Sequence, residues 1–186
     1  MKYTLDDLKF WGIKSPEKFI EHINRYSQEF KINTPTRILC FWANVLHESA
    51  NLFYMREISS GVQYEGRKDL GNINPGDGKK FAGRGILQIT GRNNYTAFNN
   101  WYAKTYNTTK YNFVKNPELL ETPQFAVLAA FWFWEENNLS EWADKNKFKE
   151  VCSIINTGGP NSKNINGMDD RLEKYKVINS WLKSLL

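Results

Sequence analysis

Histidine and cysteine are scarce in this chain: His22, His47, Cys40 and Cys152 are all it has among 186 residues. Two histidines exclude a zinc site built on three, and His47-Glu48-Ser49-Ala50-Asn51 lacks the second histidine of a metalloprotease helix. Two cysteines are too few for a disulfide framework and fit a reducing compartment. The longest apolar run, Phe125 to Trp134, falls well short of the roughly 20 residues that cross a bilayer, so no stable membrane insertion is expected. Residues Met1 to Asp7 place acids where a secretory signal carries its apolar stretch, which implies synthesis in the cytoplasm without a signal peptide. No phosphate-cradling loop ends in Lys-Ser or Lys-Thr, and Gly83-Arg84-Gly85 does not fit a dinucleotide fingerprint. Ser49 stands near His47 but outside any nucleophile-elbow context. No cofactor and no metal are expected.

What is abundant is aromatic. Phe, Trp and Tyr make up 15% of the residues and the hydrophobic set 41%, enough for a sizeable core. The length suits one domain spanning residues 1–186, with monomer as the default state. A formal charge of +5 suits an anionic partner: nucleic acid, an anionic membrane or an acidic cell-wall polymer.

Thr4, Ser15, Thr34 and Thr122 each sit where a helix N-cap would, and Pro16, Pro35 and Pro123 follow at the first helical position. Helical spacing then predicts Phe19, Ile23, Tyr26 and Phe30 on one buried face. Ile38, Phe41 and Val45, with Leu39, Trp42 and Leu46 beside them, form another. Thr90 opens a helix carrying Tyr95, Phe98 and Trp101, and the Thr122 helix, apolar nearly all round, reads as the buried central one. A segment at 148–155 and a terminal helix with Leu172, Tyr175, Ile178, Trp181 and Leu185 complete a mainly α fold. Residues 58–89 differ. Seven glycines and Pro75 exclude a long helix there and leave a long loop or small β region, with short extended pieces such as Gly85 to Ile89. A loop of that length in a compact domain is usually functional.

Glu48 is the residue on which chemistry could rest. At 100° per residue it falls about 20° outside the apolar arc of the Thr34 helix. It also lies at that helix's C-terminal end. Partial burial and the negative end of the helix dipole both disfavour a carboxylate, and a carboxyl kept protonated near neutrality is what general-acid catalysis needs. The plainer reading is a carboxylate paired with Arg56, Arg84 or Arg92, or simply solvated. Glu57 follows at the start of the loop, with Glu65, Asp69 and Asp77 as competitors. Two carboxyls roughly 6.5–9.5 Å apart serve an inverting glycosidase, and roughly 5–5.5 Å a retaining one. Spacing along the chain cannot measure that gap.

The strings His47-Glu48-Ser49 and Tyr54-Met55-Arg56-Glu57 resemble the catalytic entry of glycoside hydrolase family 19, which contains chitinases and phage-type endolysins. The run Phe81-Ala82-Gly83-Arg84-Gly85-Ile86-Leu87-Gln88-Ile89-Thr90-Gly91 is similar to the family's Gly-Arg-Gly-x-x-Gln-x-Thr-Gly block. Asn116-Pro117-Glu118, Phe131-Trp132-Phe133-Trp134, Ile155-Asn156-Thr157-Gly158-Gly159 and Asp170-Arg171 recur in the family's order, so the likeness covers about residues 35–180, with 1–33 as N-terminal helices packed on it. The resemblance implies a lysozyme-like helical fold with a substrate groove and an inverting mechanism. By it, Glu48 matches the general acid, Glu57 the base that activates water, and Thr90 the hydroxyl that helps hold that water. Gln88, Asn94 and Asn156 match sugar-binding positions, and Arg171 a basic residue supporting the acids. Two departures stand out: Ala50-Asn51 replaces a glycine pair, and Ile58-Ser59-Ser60 replaces the residues usual after the second Glu. The second departure leaves Glu65 as the alternative base.

Chitin and peptidoglycan are both β-1,4 chains of N-acetylated amino sugars. The missing secretion signal, the lack of a cysteine framework and of a chitin-binding module, and the basic charge favour peptidoglycan, cut at the cell wall after release or export. A non-catalytic sugar-binding module is the alternative outside enzymes. Nucleic-acid binding, prompted by Arg84, Arg92 and Tyr95, has no motif behind it and is not expected.

Overall fold

The computed structural model describes residues 1–186. Its α-helices are α1 (Leu5–Phe10), α2 (Ile20–Glu29), α3 (Pro35–Glu48), α4 (Asp77–Lys80), α5 (Arg92–Thr105), α6 (Pro123–Glu136), α7 (Leu139–Asp144), α8 (Phe148–Thr157) and α9 (Met168–Ser184). Short 3-10 turns lie at Pro16–Lys18, Val62–Tyr64, Lys68–Leu70 and Pro117–Glu121. There is no strand, only isolated bridges from Arg84 to Arg56 and to Ile89. No helix is long and apolar enough to cross a membrane. The chain divides into two compact units, Met1–Phe53 with Phe131–Leu186, and Tyr54–Ala130.

In the first unit, Thr4 makes a reciprocal capping box with Asp7, and Thr34 caps α3 by accepting from the Arg37 N–H ahead of Pro35. Ser15 does not cap: Pro16–Lys18 forms one 3-10 turn, and α2 starts only at Ile20. Helix α3 buries every residue from Ile38 to Leu46, each large apolar side chain contributing about 1.5–3 kcal/mol. It packs along α9 and touches α7 and α8. Tyr3, Trp11, Trp42 and Trp181 interlock around it, Trp11 lying 5.0 Å from Trp42 and 4.9 Å from Trp181 between ring centroids. Trp181 Nε1 donates to Asp7 at 2.7 Å, tying α9 to α1. On α9 the expected face is only partly right. Ile178 and Trp181 are buried, but Leu172 and Leu185 are exposed and Arg171 is wholly inside.

After α3 the chain makes a left-handed turn through Ala50, Asn51 and Leu52, with φ of 48°, 59° and 62°. For residues with a Cβ that conformation costs about 1–2 kcal/mol each. Buried Ser49 holds it: its hydroxyl donates to Val45 O at 2.6 Å and accepts from Leu52 N at 2.9 Å.

The second unit packs Phe81, Ile86, Ile89, Tyr95, Phe98, Tyr102, Phe113 and residues 125–130 into one aromatic-rich core. Gly85 to Ile89 is not extended. Gly85 and Gln88 take positive φ, and Gln88 N–H bonds back to Gly85 O, so the piece is a turn that buries Ile86 and Leu87. Thr90 does not open α5 either. Gly91, at φ 90° and ψ 144°, stands at its N-terminus, a conformation open to glycine alone.

Asp77 braces the glycine-rich segment from inside. Its carboxylate takes hydrogen bonds from Asn74 N and from Nε and Nη2 of Arg92. The Arg92 fork holds its pKa below the usual 3.8, outweighing the burial that would raise it. A carboxyl more acidic when folded contributes stability that is present above about pH 4 and disappears as pH falls through the depressed value. Asp77→Asn is therefore expected to lower stability by about 2 kcal/mol at neutral pH and by much less near pH 3. Urea unfolding at both pH values measures this, and an equal deficit at both would remove the ion pair as its source.

Candidate active site

In the first unit the site grows from one polar residue in an apolar helix. Asn44 is fully buried on α3, and its Nδ2 donates to Cys40 O at 2.8 Å, which leaves Oδ1 needing a donor. Arg171 of α9 supplies it, Nη1 to Asn44 Oδ1 at 2.5 Å. The guanidinium has no exposure of its own, so its charge needs a partner. That partner is Glu48, one turn beyond Asn44, bonded through Arg171 Nη2. The fork is completed by Nε donating to Asn166 O, and Asn166 N–H in turn donates to Asn156 Oδ1 at 2.9 Å. Glu48, Arg171 and Asn156 thus belong to one network. Beside it, His47 Nδ1 lies 2.7 Å from Asp170.

Glu48 is half-buried at the end of α3, as its place on the helix predicted. Its partner is the correction. Neither Arg56, Arg84 nor Arg92 pairs with it, and Arg171, the basic residue that the resemblance implies supports the acids, is its buried partner.

In the second unit the residues converge on Gly83. Its N–H donates to Glu57 Oε1 at 2.6 Å, and its carbonyl accepts from Glu57 N–H at 3.0 Å. A Cβ at Gly83 would lie 3.0 Å from Gln88 Oε1 and 3.2 Å from Thr90 Oγ1, so glycine is what lets these groups approach. Thr90 Oγ1 donates to Gln88 O at 2.8 Å, and Asn94 Nδ2 donates to Thr90 O at 2.9 Å. Gln88, with φ 54°, is held in the left-handed region, a strain typical of functional sites. Its Nε2 donates to Gly85 O and Tyr54 O, leaving Oε1 as a buried acceptor.

Glu65 plays a different part. Oε1 accepts from Gly76 N and Oε2 from Gly78 N, at 2.6 and 2.8 Å, so this carboxylate staples the loop. Arg84 is an internal pin bonded to Lys80 O, Ala82 O, the Tyr95 hydroxyl and Glu121. Arg92 is paired with Asp77 and Tyr95 is fully buried. The sequence reading did not single out Asn44, Gly83's contacts or Tyr64, whose hydroxyl donates to Glu57 Oε2 at 3.0 Å. Of these only Asn44 left a signal, a lone amide in an apolar run.

Among solved structures, chitinase C of Streptomyces griseus HUT6037 matches with a TM-score of 0.70 at 18% identity, covering 95% of this chain and 76% of that one. A bacterial family 19 chitinase matches with a TM-score of 0.72 at 17% identity, covering 98% and 95%. These likenesses define the class of fold: mainly helical, the fold of these chitinases. No protein-family model matches the sequence. The chain is 30% identical over 122 residues to a glycosyl hydrolase family 19 domain-containing protein of Haemophilus influenzae, covering 66% of this chain and 52% of that protein. It is 29% identical over 154 residues to acidic endochitinase SP2 of Beta vulgaris, covering 75% and 46%. These relatives and structural neighbours are chitinases or a protein with a family 19 domain, and the chain is similar to them. It spans about half the length of the curated relatives it matches.

Proposed function

We propose that residues 1–186 act as one catalytic domain, an endolysin-type glycoside hydrolase that cuts β-1,4 bonds between N-acetylated amino sugars of peptidoglycan with inversion. The observation that carries this reading is the grouping of Glu57, Thr90 and Gln88 on Gly83, in a chain whose Glu48 is held by a buried arginine. Glu48 donates its proton to the glycosidic oxygen, the bond to the anomeric carbon breaks, and the electron pair leaves with that oxygen. Water attacks the anomeric carbon from the opposite face and gives its proton to Glu57. Thr90 already donates its own proton to Gln88 O, so towards a water it acts as an acceptor. A water donating to both Glu57 and Thr90 keeps a lone pair for the attack. Arg171 stabilises the carboxylate left on Glu48 once its proton has gone, and solvent restores that proton before the next turnover. Gln88 Oε1 suits a sugar N–H or O–H, and the amides of Asn94 and Asn156 serve the same glycan.

The charge of +5 favours peptidoglycan and its acidic attached polymers, placing the action at the bacterial cell wall. Chitin is the second reading, supported by relatives named as chitinases. Digestion of purified cell walls and of chitin oligomers in parallel, followed by mass spectrometry, is expected to release muropeptides much faster than chitin fragments. NMR of fresh product is expected to show the α-anomer. Wall binding without loss of turbidity would turn the reading to a sugar-binding module, and an initial β-anomer would end the inverting mechanism.

A further inference from the structure

The Glu57 carboxylate has two donors, and the second, Tyr64, belongs to none of the blocks that carry the family likeness. We propose that Tyr64 is a positioning residue for the water-activating carboxylate: its phenol fixes the plane of the Glu57 carboxylate. This rests on the reading of Glu57 as the base.

One hydrogen bond, Gly83 N–H to Oε1, would leave the carboxylate free to swing about that contact. The Tyr64 hydroxyl holds the other oxygen, Oε2, at 3.0 Å and from a different segment of the loop. Two donors on two oxygens define a plane, and of the roughly four acceptor positions of a carboxylate two stay open for a water. Tyr64 is itself braced. Its N–H donates to Gly61 O at 3.0 Å, and its carbonyl accepts from Asn72 Nδ2 at 3.0 Å. Asn72 is fully buried, and its Oδ1 accepts from Arg92 N at the start of α5, the helix that follows Thr90. Tyr64 and Thr90 are thereby referred to one frame. The phenol is the donor of this contact and the carboxylate oxygen its acceptor.

The groups acting on the phenol are Gln63, Glu57 and Arg67, and Glu57 also acts on Tyr95. Burial, with the Glu57 charge adding to it, raises the Tyr64 pKa above its ordinary 10, so the phenol keeps its proton wherever such an enzyme works.

Tyr64→Phe keeps the ring and removes the donor. With soluble glycan oligomers it is expected to lower kcat about tenfold and leave KM within about twofold. The acid limb of the kcat profile should move to higher pH, because a carboxylate with one donor fewer protonates more readily. Glu57→Gln and the double variant are measured beside it. If Glu57 is the base, Glu57→Gln is nearly inactive and adding Tyr64→Phe lowers kcat no further. Unchanged kcat and acid limb in Tyr64→Phe, or a further tenfold loss in the double variant, would overturn the inference and leave the Glu57 assignment standing. Full activity in Glu57→Gln would overturn that assignment itself. Circular dichroism melts identify a variant whose loss comes from unfolding, and there the non-additivity in the double variant decides.

Discussion

Glu48→Gln is expected to fold and to hydrolyse cell-wall glycan about 10²- to 10⁴-fold more slowly than the parent chain, the range associated with a general acid. The substitution keeps the shape of the side chain and an oxygen that can still accept from Arg171, and it removes the transferable proton. Because the side chain ends α3 and is only half-buried, the core loses no contact. The stability effect is expected to be the smaller one, since the amide oxygen still accepts from the buried guanidinium. Turbidity clearing and oligomer kinetics measure the loss, and a melt separates it from unfolding. A fully active Glu48→Gln would remove Glu48 from the chemistry and with it the proposed mechanism.

Arg171→Met is expected to have the largest effect on stability, about 3–5 kcal/mol, because it breaks a buried network and leaves Asn44 Oδ1 without its donor. Asn44 Oδ1 is fully buried, Asn166 O loses its N–H donor, and Glu48 loses the guanidinium that holds it. Against a total of about 5–15 kcal/mol for a natural domain, such a loss approaches unfolding at body temperature. Adding Glu48→Gln to Arg171→Met should return part of the deficit, since an amide is less dependent than an acid on the lost guanidinium. Denaturant unfolding of the parent, both single variants and the double variant gives the coupling directly. Equal additivity would show that Arg171 acts through packing alone, with no energetic link to Glu48.

Local chemistry reached far into this fold. The apolar spacing of residues 38–46 produced α3 with every one of them buried, and Thr34-Pro35 started it where the capping rule says. The same pattern placed Glu48 at the border of the buried face. It failed where glycine and tertiary contact overrode it. Thr90 looks like an N-cap, yet Gly91 takes a conformation that moves the helix start to Arg92 and turns the threonine hydroxyl to Gln88 O. Leu172 and Leu185 were expected inside α9, but the face turned to α3 is fixed by Arg171.

What the chain determined by itself was its helical character, the positions of the acidic and amide residues, and the family resemblance that their blocks carry. Those properties depend on neighbours within a few residues, where propensity and periodicity operate. Partnership was decided only by folding. Glu48 and Arg171 are 123 positions apart, and Gly83 reaches Glu57 across 26. Such pairs form because a buried polar atom must find a donor or acceptor wherever the packed backbone brings one, and no local pattern encodes which one that will be.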